Sequence, residues 1–141
     1  VKCGVPQGSV LGPVLFCMYI NDLPLYLQSE SVECHMLADD TTLHATGKSP
    51  AQIQDKLQQS LNDVSEWCSA NRMLINPVKT ESMIISTRQK HQLSEMTLSL
   101  SLNEHSIEQV AEHRLLGLTV DNNLKWQTHI NGVCKRVTKH Y

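Results

Sequence analysis

The chain reads as an α+β protein: an antiparallel sheet with helices packed on one face, followed by the start of a further helical region. Three observations predict this. Residues 50–71 place Ile53, Leu57, Leu61, Val64 and Trp67/Cys68 at three- and four-residue spacing, the period of an amphipathic helix. Shorter stretches alternate apolar and polar residues, the period of half-buried strands, as in MTLSLSL at 96–102. The elements also run helix, hairpin, helix, strands, helix, with a single good crossover helix, which favours antiparallel pairing over repeated βαβ units.

In chain order, GVPQG (4–8) is a loop with a glycine at each end, and Ser9 is expected to cap a helix over 10–20. That helix is apolar nearly all round, so it is expected to be buried. Asn21-Asp22-Leu23-Pro24 breaks it, and a short amphipathic LYLQ (25–28) follows. Residues 32–37 and 41–46 read as strands of a hairpin around Asp39 and Asp40. Ser49-Pro50 supplies the N-cap and first-turn proline of the 50–71 helix, which Asn71 ends. NPVKT (76–80) is a turn, ESMIIST (81–87) a strand and RQKHQLSE (88–95) a polar loop. After strand 96–102 come a turn at Asn103-Glu104, strands near 105–110 and 114–120, a turn over DNNLKW (121–126) and a last helix over 127–140.

At 141 residues the chain is long enough for one domain with its own core. Val1-Lys2-Cys3 opens without a charged-then-apolar leader, so no signal peptide is expected. The longest apolar run, 10–20, contains Pro13 and falls short of the roughly 20 residues a membrane span needs, so no membrane partner is expected. A net charge of −2 argues against a protein that meets nucleic acid with its whole surface. Acids dominate 30–66, while Lys125, Lys135, Arg136 and Lys139 cluster near the end; a solvated helix face and a phosphate-contacting one both fit that cluster.

Five cysteines (3, 17, 34, 68 and 134) show no CxxC and no zinc-finger spacing with histidine. They predict reduced, mostly buried thiols in an intracellular protein. The histidines form no HExxH, and none is assigned to metal or acid–base work. Trp67 and Trp126 read as core or interface aromatics.

The chemistry-bearing stretch is HMLADDTTLHA (35–45), where two like charges interrupt strand-like residues. Adjacent aspartates repel and are poor strand formers, so either a solvated turn or a cation must compensate. Mg²⁺ is a hard cation that takes oxygen ligands, commonly one or two carboxylates plus substrate phosphates. GVPQGS (4–9) allows backbone to approach a ligand at its glycines, with helix amides facing an anion; it also reads as a plain loop with Gln7 at the surface.

Taken together, GVPQGSVLGPVLFCMYINDLP (4–24) followed by LADD (37–40) resembles the palm of reverse transcriptases of non-LTR retrotransposons. SEWCSANRMLINPVKTESMII (65–85) resembles the segment that follows in that family, and HRLLGLTVDNNLKWQTHI (113–130) a later element leading from the primer grip toward the thumb. The resemblance implies a partial palm over 1–120, including a primer-grip-like hairpin, and the start of a thumb over 121–141. It implies that Asp39 and Asp40 are catalytic ligands of two Mg²⁺ ions in the complete enzyme. Pro6, Gln7 and Gly8 would line the nucleotide and template pocket, Lys79 would lie near the nucleotide phosphates, and Leu116-Gly117 would belong to the primer-holding hairpin. For the last three residues a solvated turn lysine and a plain strand with a bulge remain open readings. The implied partners are an RNA template, a DNA primer and deoxynucleoside triphosphates. The implied place of action is the nucleus, with the cytoplasm as the alternative.

Two departures qualify the resemblance. Leu37 stands where the family usually has Phe or Tyr, with an effect expected on rate or fidelity more than on metal binding. The family also supplies an essential Asp from an earlier strand, whereas no residue before Asp22 is acidic here and Asp22 matches a different family position. A fragment that does not polymerise alone, its N-terminal palm and fingers lying elsewhere in the same polypeptide, is therefore expected. Rival readings are a non-catalytic remnant that binds nucleic acid or protein, and an unrelated metal-binding α+β module.

Overall fold

A computed structural model describes residues 8–27, 32–86 and 97–138. They fall into two compact units, one of residues 1–75 with 100–103, the other of 76–99 with 104–141. Helices and small sheets make both, so the α+β expectation holds.

In the first unit, α1 (Gly12–Ile20) and α2 (Leu23–Tyr26) lead into a hairpin of β1 (Val32–Leu37) and β2 (Asp40–Ala45), and then α3 (Pro50–Ala70). The long helix begins as its sequence dictates: Ser49 is extended, its hydroxyl accepts the Gln52 N–H at 3.3 Å, and Pro50 follows. Its apolar stripe buries Val64, Trp67 and Cys68 against Ile20, Leu23 and Leu27, with Cys34, Met36 and Leu43 of the hairpin packed on the same cluster. Strand β4 (Ser101–Leu102) also lies along α3. There the Gln58 side-chain amide acts as a substitute strand neighbour, donating to the Ser101 carbonyl and accepting its N–H, each at 2.9 Å.

Helix α1 corrects two expectations. Ser9 does not cap it: Leu11 occupies the cap position with no side-chain bond, and Pro13 sets the first turn. Nor is the helix buried. Only the Phe16–Ile20 edge, one turn apart, meets the core; Val14, Leu15, Met18 and Tyr19 are exposed, Met18 by 71%. An all-round apolar helix needs neighbours on every side, and the described residues of this unit provide them on one. The Tyr19 hydroxyl adds a bond to the Asn71 carbonyl at the end of α3.

In the second unit a 3₁₀ turn (Pro77–Lys79) precedes β3 (Glu81–Ser82), followed by β5 (His105–Ser106), β6 (Glu108–Gln109), β7 (Glu112–Leu115), β8 (Leu118–Asp121) and α4 (Gln127–Thr138). The expected strand 81–87 is paired only at Glu81–Ser82, and that pairing with β6 is parallel; Thr87 and the expected loop 88–95 lie outside the described residues. Leu98, Leu100 and Leu102 are buried and Thr97, Ser99 and Ser101 exposed, so the expected alternation is present over 97–102, with β4 assigned at Ser101–Leu102; Met96 lies outside the described residues. The strand expected from the pattern at 114–120 is instead a hairpin, as the resemblance implied for Leu116-Gly117, because both residues take positive φ and reverse the chain. Trp67 is core, but Trp126 is 40% exposed and is not. Among the described residues no helix is long and apolar enough to cross a membrane.

Four cysteines are described, all free; Cys34 is half-buried and Cys68 buried, but Cys17 and Cys134 are exposed, which corrects the expectation of mostly buried thiols. Cys3 lies outside the described residues.

Candidate functional site

Strand pairing explains how the chain accommodates two adjacent aspartates. β1 and β2 pair antiparallel from Val32↔Ala45 to Leu37↔Asp40, leaving a two-residue loop, Ala38-Asp39. Ala38 has φ of 53° and Asp39 does not share it, the sign pattern of a type II′ hairpin turn. Glycine is the usual first residue there; alanine pays a left-handed cost of about 1 kcal/mol. Asp39 thus sits on the turn and Asp40 opens β2, both exposed.

Directly opposed residues share a face. Val32, Cys34 and Met36 with Ala45, Leu43 and Thr41 form the inner face, while Glu33, His35 and Leu37 with His44, Thr42 and Asp40 form the outer one. On that outer face the His35 and His44 rings meet edge-on, 5.1 Å between centroids, and His35 Nε2 lies 3.5 Å from a Glu33 carboxylate oxygen. Leu37, where an aromatic was expected by resemblance, is 57% exposed beside Asp40.

The carboxylate tip fits a hard divalent cation in kind and in number. It presents two oxygen-donor groups from consecutive residues to solvent, and Mg²⁺ characteristically takes one or two carboxylates and keeps water or phosphate on its other positions. Among the described residues no group of three or more His, Cys, Asp or Glu side chains could hold a metal by itself.

Other sequence-predicted residues are distributed over both units. Pro6 and Gln7 lie outside the described residues, as does Gly4. Gly8 has φ of 83°, and among the described residues nothing beyond its chain neighbours lies within 4 Å of where a Cβ would stand, so backbone conformation rather than crowding calls for glycine. In the second unit, Asn76 Oδ1 accepts the Val78 N–H at 3.1 Å and the Thr80 hydroxyl bonds the Asn76 carbonyl at 3.0 Å. This capped turn presents an exposed Lys79. Leu116 and Gly117, with φ of 49° and 86°, form the tip of the β7–β8 hairpin, closed by Leu115↔Leu118. Positive φ at both loop residues marks a type I′ turn.

Two residues of the stretch that carries the resemblance, Asp121 and His129, have bonding roles that the sequence did not assign. The Asp121 carboxylate accepts backbone N–H groups from Asn123 at 3.0 Å, Lys125 at 3.0 Å and Trp126 at 2.9 Å. The Lys125 amide above all, with those of Asn123 and Trp126, lowers its pKa from the ordinary 3.8 against the opposing effect of desolvation. His129 Nδ1 accepts the Thr119 N–H at 3.2 Å. The spacing of Asp121, Leu124, Trp126 and His129 within the quoted HRLLGLTVDNNLKWQTHI was the available signal.

Residues 1–120 match the model of the family described as reverse transcriptase (RNA-dependent DNA polymerase). The chain is similar to the RNA-directed DNA polymerase from mobile element jockey of Drosophila melanogaster, 29% identical over 94% of this chain and 14% of that protein. It is likewise similar to the jockey polymerase of Drosophila funebris, 28% identical over 94% of this chain and 14% of that protein. A Retrovirus-related Pol polyprotein from type-1 retrotransposable element R1 2 of Nasonia vitripennis is 24% identical over 96% of this chain and 33% of that protein. The chain thus spans about a seventh of the jockey polymerases' length. No solved structure matches it.

Proposed function

Because this chain belongs to the reverse transcriptase (RNA-dependent DNA polymerase) family, we propose that it is the part of a retrotransposon polymerase that carries one arm of the catalytic metal site and the primer-holding hairpin. The reaction is RNA-templated transfer of a deoxynucleotide to a primer 3′-hydroxyl. The observation that carries the reading is the Asp39-Asp40 tip, two exposed carboxylates held on a tight hairpin turn.

Asp39 and Asp40 would hold Mg²⁺, completed by an acidic residue from elsewhere in the polypeptide. When bound, two such ions stabilise the charge that develops on the attacking 3′-oxygen and on the leaving pyrophosphate. The turn orients both carboxylates before substrate arrives. Lys79 supplies a positive charge for the nucleotide's phosphates, and Gly8, with Pro6 and Gln7, lines the nucleotide and template pocket. Leu116 and Gly117 rest the primer end against an apolar tip. Relatives several times longer support a division of the active site over a longer chain, and on this proposal the stretch alone does not extend a primer. The proposed place of action is the nucleus.

The test is primer extension on an RNA template with Mg²⁺, using a polymerase of the relatives' length that contains this chain. Asp39→Asn should abolish extension; full activity in that variant overturns the catalytic assignment. A polymerase that stays inactive with both aspartates intact, yet shifts an RNA–DNA duplex on a gel, favours the non-catalytic reading.

A further inference from the structure

A two-residue turn fixes which backbone groups of the β7–β8 hairpin are paired. With Leu115↔Leu118 closing the turn through hydrogen bonds, the next pair, Arg114↔Thr119, is the non-hydrogen-bonded type, and its N–H groups point away from the ladder. The alternation is kept further along, where the Asn122 N–H donates to the Ala111 carbonyl at 2.9 Å. Among the described residues the Thr119 N–H therefore has no strand partner, and His129 Nδ1, on the first turn of α4, accepts it.

Between them the chain makes an expensive connection. Leu124 and Trp126 both take positive φ, 53° and 60°. Neither residue type favours that region, at a cost of roughly 1 kcal/mol or more each. The Asp121 carboxylate holds this path by gathering the amides of Asn123, Lys125 and Trp126, and the Leu124 N–H closes back on the Asp121 carbonyl at 2.9 Å. The end of β8 and the start of α4 are thus tied twice, by a carboxylate across the turn and by an imidazole from helix to strand.

We propose that Asp121 and His129 are positioning residues that fasten α4 to the β7–β8 hairpin as one body. The exposed tip at Leu116 and the basic, exposed end of α4 at Lys135 and Arg136 then meet a primer–template duplex with one fixed spacing. The duplex part rests on the polymerase reading above; the fastening does not.

The experiment reads the two parts separately on the full chain. Amide exchange and residual dipolar couplings report the fastening, and anisotropy of a fluorescent RNA–DNA duplex reports binding. His129→Ala should speed exchange at Thr119 about five- to tenfold and give the hairpin and α4 separate alignments. His129→Asn, whose side-chain oxygen can stand near Nδ1, should restore both. Asp121→Ala should act in the same way at Asn123, Lys125 and Trp126. Both alanine variants should weaken duplex binding with Lys135 and Arg136 still present, and His129→Asn should recover it. Unchanged Thr119 exchange and a common alignment in His129→Ala overturn the fastening. Lost fastening with unchanged duplex affinity overturns the positioning role. A native chain that binds no duplex overturns the polymerase reading of this surface and with it the positioning role, while the exchange data still judge the fastening.

Discussion

Leu37 and Asp40 face each other as the last pair of the β1–β2 ladder, so only Ala38 and Asp39 remain to turn the chain. The carboxylates are separated by that arrangement into a turn residue and a strand residue, and both reach water. Ala38 bears the conformational cost at φ 53°. Ala38→Gly removes the left-handed penalty, partly offset by greater freedom of the unfolded chain. A gain of up to about 1 kcal/mol is expected, read from the midpoint and slope of urea unfolding. A loss of stability would show that the methyl group packs.

At the other hairpin, the type I′ turn holds a leucine where asparagine is favoured. Leu116→Asn should raise stability by about 1 kcal/mol, and Gly117→Ala should lower it by a similar amount. In a primer-extending polymerase, Leu116→Asn should nevertheless raise KM for primer–template, because it removes the exposed apolar tip. A stabilised variant with unchanged KM would make Leu116 a turn residue only.

Asp121 predicts an acid-side loss of order. Its pKa is lowered in the folded chain, chiefly by the Lys125 amide, so the carboxylate stabilises the fold above its unfolded value of 3.8 and ceases to do so as pH falls through the depressed folded value. Exchange protection at Asn123, Lys125 and Trp126 should persist from neutrality to about pH 4 and fall below it. Asp121→Asn should show weaker protection throughout, without that acid step.

The free thiols should divide by burial. Desolvation raises the pKa of Cys34 and of Cys68, so each holds less thiolate at neutral pH. Exposed Cys17 and Cys134 should be alkylated first by iodoacetamide, as followed by mass spectrometry, with Cys34 and Cys68 modified only as unfolding is approached. Early modification of Cys68 would show that the Val64–Trp67–Cys68 core opens readily.

Trp67→Ala should be the most damaging of these changes. The indole is 4% exposed within the core shared by α1, α2, α3 and the hairpin, and its removal should cost about 3–5 kcal/mol. A smaller loss in thermal or urea unfolding would mean that the surrounding side chains collapse into the space.

The elements legible in the sequence are those set by neighbours a few residues away. Ser49, Pro50 and the apolar spacing from Ile53 to Cys68 determine α3 from cap to end, because capping and helical periodicity act over three or four residues. The Asp39-Asp40 tip was legible for the same reason, from two flanking strands with alternating faces. Tertiary structure decided the rest. Apolar composition could not say that α1 buries only its Phe16–Ile20 edge, because burial depends on which neighbours the fold brings to each side. By their pattern residues 114–120 looked like one strand; the resemblance placed Leu116-Gly117 in a hairpin, and the left-handed conformation of that pair is what reverses the chain. The partner of His129 is ten residues away at Thr119, and it exists because strand register leaves that N–H unpaired. Periodicity acts along the chain; register and burial arise only where separate segments meet.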